Sequence, residues 1–417
     1  MARYLVVEDS NVVVKILKHL AKDTLGKDVV FANNMATAKR LYEQHKRTLE
    51  VGLIDLSLPD APDGELVDYL LDERLPVVVL TGSSDSGKRD MLLAKGIADY
   101  VIKESRYSYL YALNMMRRLS RNRQVEVLVV EDSTMARKHI QHLLELHCYQ
   151  VHAAEDGVKA MSCLRQHPEI QLIITDYNMP NMDGFELVQA VRHEFEKRRI
   201  GIIGLSGQGD NHLSVRFIKN GANDFLNKPF EQEEFFCRVT NNIEAIRHLR
   251  ELEEQASRDF LTNLYNRRFF QDSANEALKQ AQKLGKPISA AIIDVDFFKH
   301  INDEYGHQGG DQALCHIANL LAELTQPFLL ARTGGEEFTL LMSGLNADKA
   351  YEFCEALRAR IADSIVDVTE EAYVRLTVSI GVATCQGDSL DKLLNRADEH
   401  LYQAKDGGRN LVADGRS

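Results

Sequence analysis

Short, wholly apolar runs alternate with longer stretches of mixed polarity along the first part of this chain. Leu5-Val6-Val7, Leu53-Ile54 and Val77-Val78-Val79-Leu80 read as strands buried on both faces, while Val12–Leu20 places its apolar residues at helical spacing. The same texture returns at Leu128-Val129-Val130, Ile173-Ile174 and Ile202-Ile203, with Met135–Leu144 as the matching amphipathic stretch. Doubly buried strands separated by helices predict a parallel sheet covered on each side, and they predict it twice. After Pro229 the pattern changes. Phe235, Val239, Ile246, Leu249 and Leu252 punctuate a polar, glycine-free stretch to about Ser257, which reads as one helix. Its first half closes the second core; Arg247–Ser257, highly charged with a thin apolar stripe, forms a stalk or weak helix pair. A further strand, Ala290-Ala291-Ile292-Ile293, opens the last segment.

The repetition includes the polar residues that end the strands. Leu5–Ser10 and Leu128–Ser133 are the same six residues, LVVEDS. Glu131 follows Glu8 by 123 positions, Asp176 follows Asp55 by 121, and Lys228 follows Lys103 by 125, a drift that loop insertions produce. In parallel sheets ligands sit beyond the carboxyl ends of the strands. Glu8, Asp9 and Asp55 therefore converge on one spot, and Glu131, Asp132 and Asp176 on another. Three carboxylates so close repel unless a hard divalent cation offsets them, and oxygen-only ligation suits magnesium. A carboxylate beside magnesium can accept a phosphoryl group, with Lys103 or Lys228 screening the transferred oxygens. Thr81 and Ser206 then offer a hydroxyl to the acyl phosphate, and Tyr100 or Phe225 repacks behind the moving loop. Taken alone, an apolar strand ending in Asp-Ser is more often a helix N-cap. The ordered set of acidic pair, aspartate, hydroxyl and lysine, present twice, points beyond that.

At these residues both halves resemble CheY-like receiver domains of response regulators, over residues 1–120 and 124–245. The resemblance implies two flavodoxin-like, doubly wound parallel-sheet domains phosphorylated at Asp55 and Asp176 by a histidine kinase or phosphotransfer protein. The second copy keeps the family's Met179-Pro180-x-Met182-Asp183-Gly184 loop and Lys228-Pro229. The first has an extra residue in Pro59–Gly64 and Glu104 where proline is usual. Both retain every residue the chemistry requires, so both are expected to accept phosphate.

The last segment, 258–417 after a linker at 246–257, is densest in chemistry. Ala290–Asp296 is a buried strand ending in carboxylates, and Arg332-Thr333-Gly334-Gly335-Glu336-Glu337-Phe338 reads as a hairpin whose glycines permit the turn and whose acids sit beside a strand. Lys405-Asp406-Gly407-Gly408-Arg409 sets two cations in a glycine-rich turn, a phosphate clamp. Acids for a metal and cations for phosphates point to a nucleoside triphosphate. With Asp259-x-Leu261-Thr262-x-Leu264-x-Asn266, the Asp294–Asp311 run and Thr377–Ala383, these motifs resemble GGDEF-domain diguanylate cyclases in order across about 257–412.

That resemblance implies a nucleotidyl-cyclase or palm-like α+β domain that condenses two GTP into cyclic di-GMP with release of pyrophosphate, in a homodimer. By residue, it implies that Asp294, the Val295 carbonyl and Glu336 hold magnesium or manganese, with Glu337 nearby. Asn302 and Asp311 read the guanine edge, His307 occupies another substrate position, and Lys299, Lys405 and Arg409 neutralise the triphosphate. Glu336 is the first candidate for the base that removes the ribose proton. Many such cyclases carry Arg-x-x-Asp before the signature for product inhibition; here the stretch is Thr325-Gln326-Pro327-Phe328, so feedback there is expected to be weak or absent. Two rival readings share these motifs: a receptor for GTP or cyclic di-GMP with an inert cyclase domain, and a phosphorelay adaptor acting through protein contacts.

Composition narrows the setting. The 417 residues suffice for several cores, and a net charge of −12 argues against non-specific binding to nucleic acid or anionic membrane. Apolar stretches such as Leu75–Leu80 are too short for a membrane span, so a cytoplasmic protein is expected. Six cysteines without a CxxC pair suggest neither disulfides nor zinc, and read as buried reduced thiols. The histidines of His139–His147 read as a solvated helical face.

Overall fold

The computed structural model describes residues 3–26, 28–82, 86–195, 200–207, 211–369 and 372–416. It divides into two compact units, residues 1–250 and 251–417.

The first unit holds two parallel five-stranded sheets. In the first, β1 (Tyr4–Val7), β2 (Val29–Ala32), β3 (Val51–Asp55), β4 (Val77–Thr81) and β5 (Asp99–Ile102) lie in the order β2-β1-β3-β4-β5. In the second, β6 (Glu126–Val130), β7 (Gln150–Ala154), β8 (Ile170–Asp176), β9 (Gly201–Gly207) and β10 (Asp224–Lys228) lie in the order β10-β9-β8-β6-β7. Both are the flavodoxin-like order, with helices packed on each face. Alternate residues of the central strands feed opposite cores: Leu5 and Val7 join one cluster, Tyr4 and Val6 the other, and Leu128 and Val130 separate from Val127 and Val129 in the same way. That two-sided burial is why the strands read as unbroken apolar runs.

The repeated Ser10 and Ser133 are indeed N-cap residues, of the helices Asn11–Thr24 and Thr134–Leu146. Capping and chemistry coexist: the Ser133 hydroxyl accepts the Ala136 amide, Ser10 holds its cap position without a side-chain hydrogen bond, and the preceding acids face the sheet's end. The loops after β3 and β8 differ as their lengths do. In the second copy Asp183 closes a capping box with Glu186, and Gly184 is required because a Cβ there would lie 2.2 Å from the Asp176 carbonyl. In the first, Gly64 starts the helix with a left-handed φ of 85°, and Asp60 swings away to accept the backbone amides of Met35 and Ala36.

The second unit is built on a mixed sheet. Its strands are β11 (Tyr265–Asn266), β12 (Ile288–Val295), β13 (Leu329–Arg332), β14 (Glu337–Ser343), the ribbon β15 (Val366–Thr369) with β16 (Ala372–Val374), β17 (Val378–Thr384) and β18 (Val412–Ala413). The six-stranded order is β11-β13-β14-β12-β17-β18, with β12 antiparallel to both neighbours. The helix Leu390–Asp406 lies against β17 at Gly381, where a Cβ would stand 2.0 Å from the Ala397 carbonyl. One continuous helix, Gln232–Ser257, carries Phe235, Val239 and Ile243 into the second receiver-like core, while Leu249 and Leu252 are exposed.

Two expectations need correction. Only Cys354 is buried among the six free cysteines; Cys237 is exposed and the other four are intermediate. His139 and His142 are exposed as expected, but His147 is 2% exposed, because its ring is covered by Phe236 of the helix Gln232–Ser257 and by the Ala98 backbone just before β5 of the first copy.

Candidate functional sites

The carboxyl ends of β1, β3 and β5 bring Glu8, Asp9, Asp55 and Lys103 together. Ligand atoms of the three acids lie within 4.8 Å of one another. Lys103 Nζ stands 2.7 Å from Glu8 Oε2 and 2.7 Å from Asp55 Oδ2. The second copy repeats this: Lys228 Nζ lies 2.5 Å from both Glu131 Oε2 and Asp176 Oδ1, and Glu131, Asp132 and Asp176 form the same compact triad. Burial, reinforced by the adjacent aspartate, raises the pKa of Glu8 and Glu131 against the pull of each lysine. Burial opposes the charge of each lysine too, yet the two carboxylates prevail and raise the lysine pKa. Crowded, half-desolvated oxygens that one ammonium only partly neutralises fit a hard divalent cation.

Thr81 and Ser206 are buried at the ends of β4 and β9. Phe225 packs 5.7 Å from Phe217, which meets Tyr177 edge-on at 6.0 Å, so an aromatic row begins beside Asp176. Tyr100 is placed differently. It lines a cleft with Asp99 and Tyr111 of the first copy and His147, Phe236 and Cys237 of the second.

His147 is the centre of that contact. Its Nε2 meets the Ala98 carbonyl at 3.0 Å, its own carbonyl accepts from Asn122 Nδ2 at 2.9 Å, and its ring stacks on Phe236. A carbonyl partner makes Nε2 a donor, and Nδ1 is buried with no hydrogen-bond partner among the described residues, so a second proton there would have nothing to meet and the ring is neutral. Burial pushes the His147 pKa down to about 3, with the Arg118 charge acting the same way and the Ala98 carbonyl against. The unfolded ring takes its proton near its ordinary pKa of 6.5, whereas the folded ring refuses it until about 3. Stability from this group is whole above that upper value and is lost as pH falls toward the lower one, at roughly 1 kcal/mol per pH unit. The expected result is that the receiver unit melts earlier at pH 5 than at pH 7, and that His147→Gln, which keeps a donor and cannot titrate, removes part of that difference by circular dichroism.

In the second unit, Asp294 is buried at the end of β12, where its carboxylate meets Lys405 Nζ at 2.8 Å. Burial raises its pKa; Lys405 opposes this, and the charges of Glu336 and Glu337 add to it. Glu337 is the direct cross-strand partner of Asp294, and Glu336 precedes it in the turn, its carbonyl accepting from Val295 N at 3.3 Å. Neither signature glycine has a left-handed φ. Gly334 matters instead because a Cβ there would stand 2.6 Å from Glu337 Oε2. Asp296 points elsewhere: it accepts from Thr377 Oγ1, Ser379 Oγ and the Asn410 amide, which saturate it and anchor the clamp turn. In that turn Gly408, Arg409 and Asn410 all have positive φ, and the Arg409 guanidinium lies 4.7 Å over the exposed Phe297 ring.

Asn302, His307 and Asp311 lie on the helical run Phe298–Leu324, which breaks at Gly306 (φ 72°, ψ 173°). Asn302 is packed against Gly310, where a Cβ would come within 2.0 Å of its Oδ1, so that glycine makes room for the side chain. Lys299, His307 and Asp311 are exposed, with no hydrogen bond or ion pair among those described. The pattern did not reveal two supports. Arg332 donates to the Gly335 carbonyl at 2.7 Å and to Asp259 at 2.9 Å, tying the signature turn to the Asp259–Asn266 motif. Burial works against the Asp259 charge, but the Thr262 hydroxyl and amide together with Arg332 lower its pKa.

The residues thus form two receiver-type acidic pockets and one acid-and-cation site on a palm-like sheet. The response regulator receiver domain model matches residues 4–113 and 127–240, and the model for the diguanylate cyclase GGDEF domain matches 256–411. The chain is 29% identical over 465 residues to the response regulator PleD of Caulobacter vibrioides, spanning 99% of this chain and 98% of that protein. It is 40% identical over 178 residues to the diguanylate cyclase DgcM of Escherichia coli, covering 42% of each. A crystal structure of a two-component response regulator/GGDEF domain protein is 41% identical, with a TM-score of 0.56, and covers 59% of this chain and 100% of that one. The chain belongs to the response regulator receiver family. Its C-terminal part is a diguanylate cyclase domain of the GGDEF type. Among the described residues no helix is long and apolar enough to cross a membrane.

Proposed function

We propose that the protein condenses two GTP molecules into cyclic di-GMP and pyrophosphate as a homodimer, under control of aspartyl phosphorylation at Asp55 and Asp176 by a histidine kinase or phosphotransfer protein. Residues 1–120 and 124–245 act as the two receivers, 246–257 as the helical linker and 258–417 as the cyclase. The setting is cytoplasmic, where GTP is available. The observation that carries the reading is the buried Asp294, crowded by the charges of Glu336 and Glu337 and paired with Lys405.

Asp294, Glu336 and the Val295 carbonyl are the groups that would hold magnesium or manganese. A divalent ion there supplies charge to the triphosphate and acidifies the attacking ribose 3′-hydroxyl. Lys405, Lys299 and the Phe297-backed Arg409 are the cations that would meet the triphosphate. Asn302, held by the Gly310 gap, and Asp311 orient the guanine, with His307 at its flank. Glu336 receives the hydroxyl proton, and Glu337 keeps the site's charge negative. One domain holds one GTP, so the second nucleotide must come from a facing domain, and juxtaposition supplies several kcal/mol of the barrier. In each receiver the acidic triad would hold magnesium, the lysine would screen the acyl phosphate, and Thr81 or Ser206 would follow it. Because Tyr100 lines the cleft with His147 and Phe236 of the second receiver, the state of Asp55 would be read within the chain, at the contact between the two receivers.

The test is turnover: full-length protein with GTP and magnesium, with and without beryllofluoride, assayed for cyclic di-GMP. Product that increases with beryllofluoride supports the reading; no product in either condition transfers the case to the nucleotide-receptor alternative. The same assay checks feedback. Thr325 is the buried C-cap of its helix and Phe328 packs edge-on against Phe353 at 5.4 Å, so an uncharged turn stands where the usual inhibitory cation and acid would be. Added cyclic di-GMP is expected to leave the initial rate unchanged, and strong inhibition would reveal a different product-binding surface.

A further inference from the structure

A group of soft ligands lies in the second receiver, apart from the residues of the three sites described above. His152 on β7, Cys163 in the helix Gly157–Gln166 and His167 just beyond it place their donor atoms within 4.8 Å of one another. The two imidazole rings stand 4.2 Å apart and tilted by 37°. Glu126 Oε2 holds His152 Nε2 at 2.8 Å. Cys163 is a free thiol of intermediate burial.

We propose that His152, Cys163 and His167 form a binding site for a borderline-soft divalent transition metal, with zinc the best fit. Two imidazoles and a thiolate suit zinc and exclude magnesium, and they leave a fourth tetrahedral position for water or a carboxylate. The Glu126 contact is the carboxylate–histidine pairing that fixes a ligating ring, which makes Glu126 a positioning residue. Burial, with the Glu126 charge adding to it, raises the pKa of the Cys163 thiol, so metal binding there releases a proton.

The first receiver shows that the fold does not demand these residues. Val30 pairs with Leu5 as His152 pairs with Leu128, and Leu41 follows the N-cap Asn34 by the same seven positions that separate Cys163 from the N-cap Asp156. Val30 and Leu41 simply pack against that core. The group also lies at the opposite end of the sheet from phosphorylation: Glu126 begins β6 and His167 precedes β8, whereas Asp176 ends β8. An ion here ties the edge strand β7 to the following helix and does not compete for the acidic triad.

The experiment is a cobalt titration of the full-length, metal-free protein in excess magnesium, which occupies the oxygen sites. One equivalent is expected to give the near-ultraviolet thiolate charge-transfer band and the intense visible bands of a four-coordinate centre, both erased by zinc. Cys163→Ser is expected to lose the charge-transfer band, and Glu126→Gln to weaken binding about 10- to 100-fold. Absence of a thiolate band, or an identical band in Cys163→Ser arising from another cysteine, overturns the proposal.

Discussion

Glu336→Ala is expected to lower cyclic di-GMP formation by about two to three orders of magnitude, the loss typical when one preorganised charge-stabilising group is removed. The fold is expected to survive. What ties the turn to β12 is backbone, the Val295 amide on the Glu336 carbonyl, together with Arg332 on the Gly335 carbonyl, and neither uses the Glu336 side chain. The half-exposed carboxylate therefore contributes charge and leaves the hairpin's shape to the main chain. Asp296→Asn supplies the contrast. Asp296 is buried and accepts three hydrogen bonds, so converting one oxygen to a donor turns an acceptor against its partners and destabilises the domain. Turnover and melting measured together separate the two: Glu336→Ala loses rate and keeps its melting temperature, while Asp296→Asn loses both. A Glu336→Ala enzyme with undiminished turnover would remove Glu336 from the chemistry.

The difference between these neighbouring acids marks where sequence reading succeeds and where it stops. Asp55, Asp176, Lys103 and Lys228 were legible because a parallel sheet delivers the carboxyl ends of its strands to one place, so position along the chain becomes position in space. Asp294 was legible for the same reason, as an acid ending an apolar strand. Asp296, two residues later, carries the same charge in the same run, and only the arrival of Thr377, Ser379 and Asn410 from distant segments shows that it is saturated. The Arg332–Asp259 pair and the Phe297 platform under Arg409 were hidden likewise, since each joins segments whose separation in sequence says nothing of their contact. His147 was misread because helical periodicity describes one domain's surface and not what a second domain lays over it. The His152, Cys163 and His167 cluster is invisible to cysteine spacing because strand, helix and loop each supply one donor.

Replacing both acceptors, as Asp55→Asn with Asp176→Asn, is expected to abolish the rise in cyclase rate that beryllofluoride produces, and each single variant is expected to retain part of it. A tenfold activation requires only about 1.4 kcal/mol of bias toward the productive arrangement, well within what one acyl-phosphate mimic contributes through its lysine and hydroxyl. The two pockets are equivalent at their centres: in each, a lysine bridges a buried glutamate and the acceptor aspartate. They differ in what lies behind. Asp176 adjoins Tyr177, from which the aromatic row runs through Phe217 to Phe225, so its phosphorylation would act within the second receiver. Asp55 is followed by Leu56, and Tyr100, the residue proposed to respond to it, opens onto the cleft with His147 and Phe236, so its phosphorylation would act through the contact between receivers. Removing one acceptor leaves the other route intact, which is why the singles keep a partial response. A double variant that still responds would place the beryllofluoride effect outside both receivers. A single variant with no response would show that only its receiver is loaded, and would end the case for two working switches.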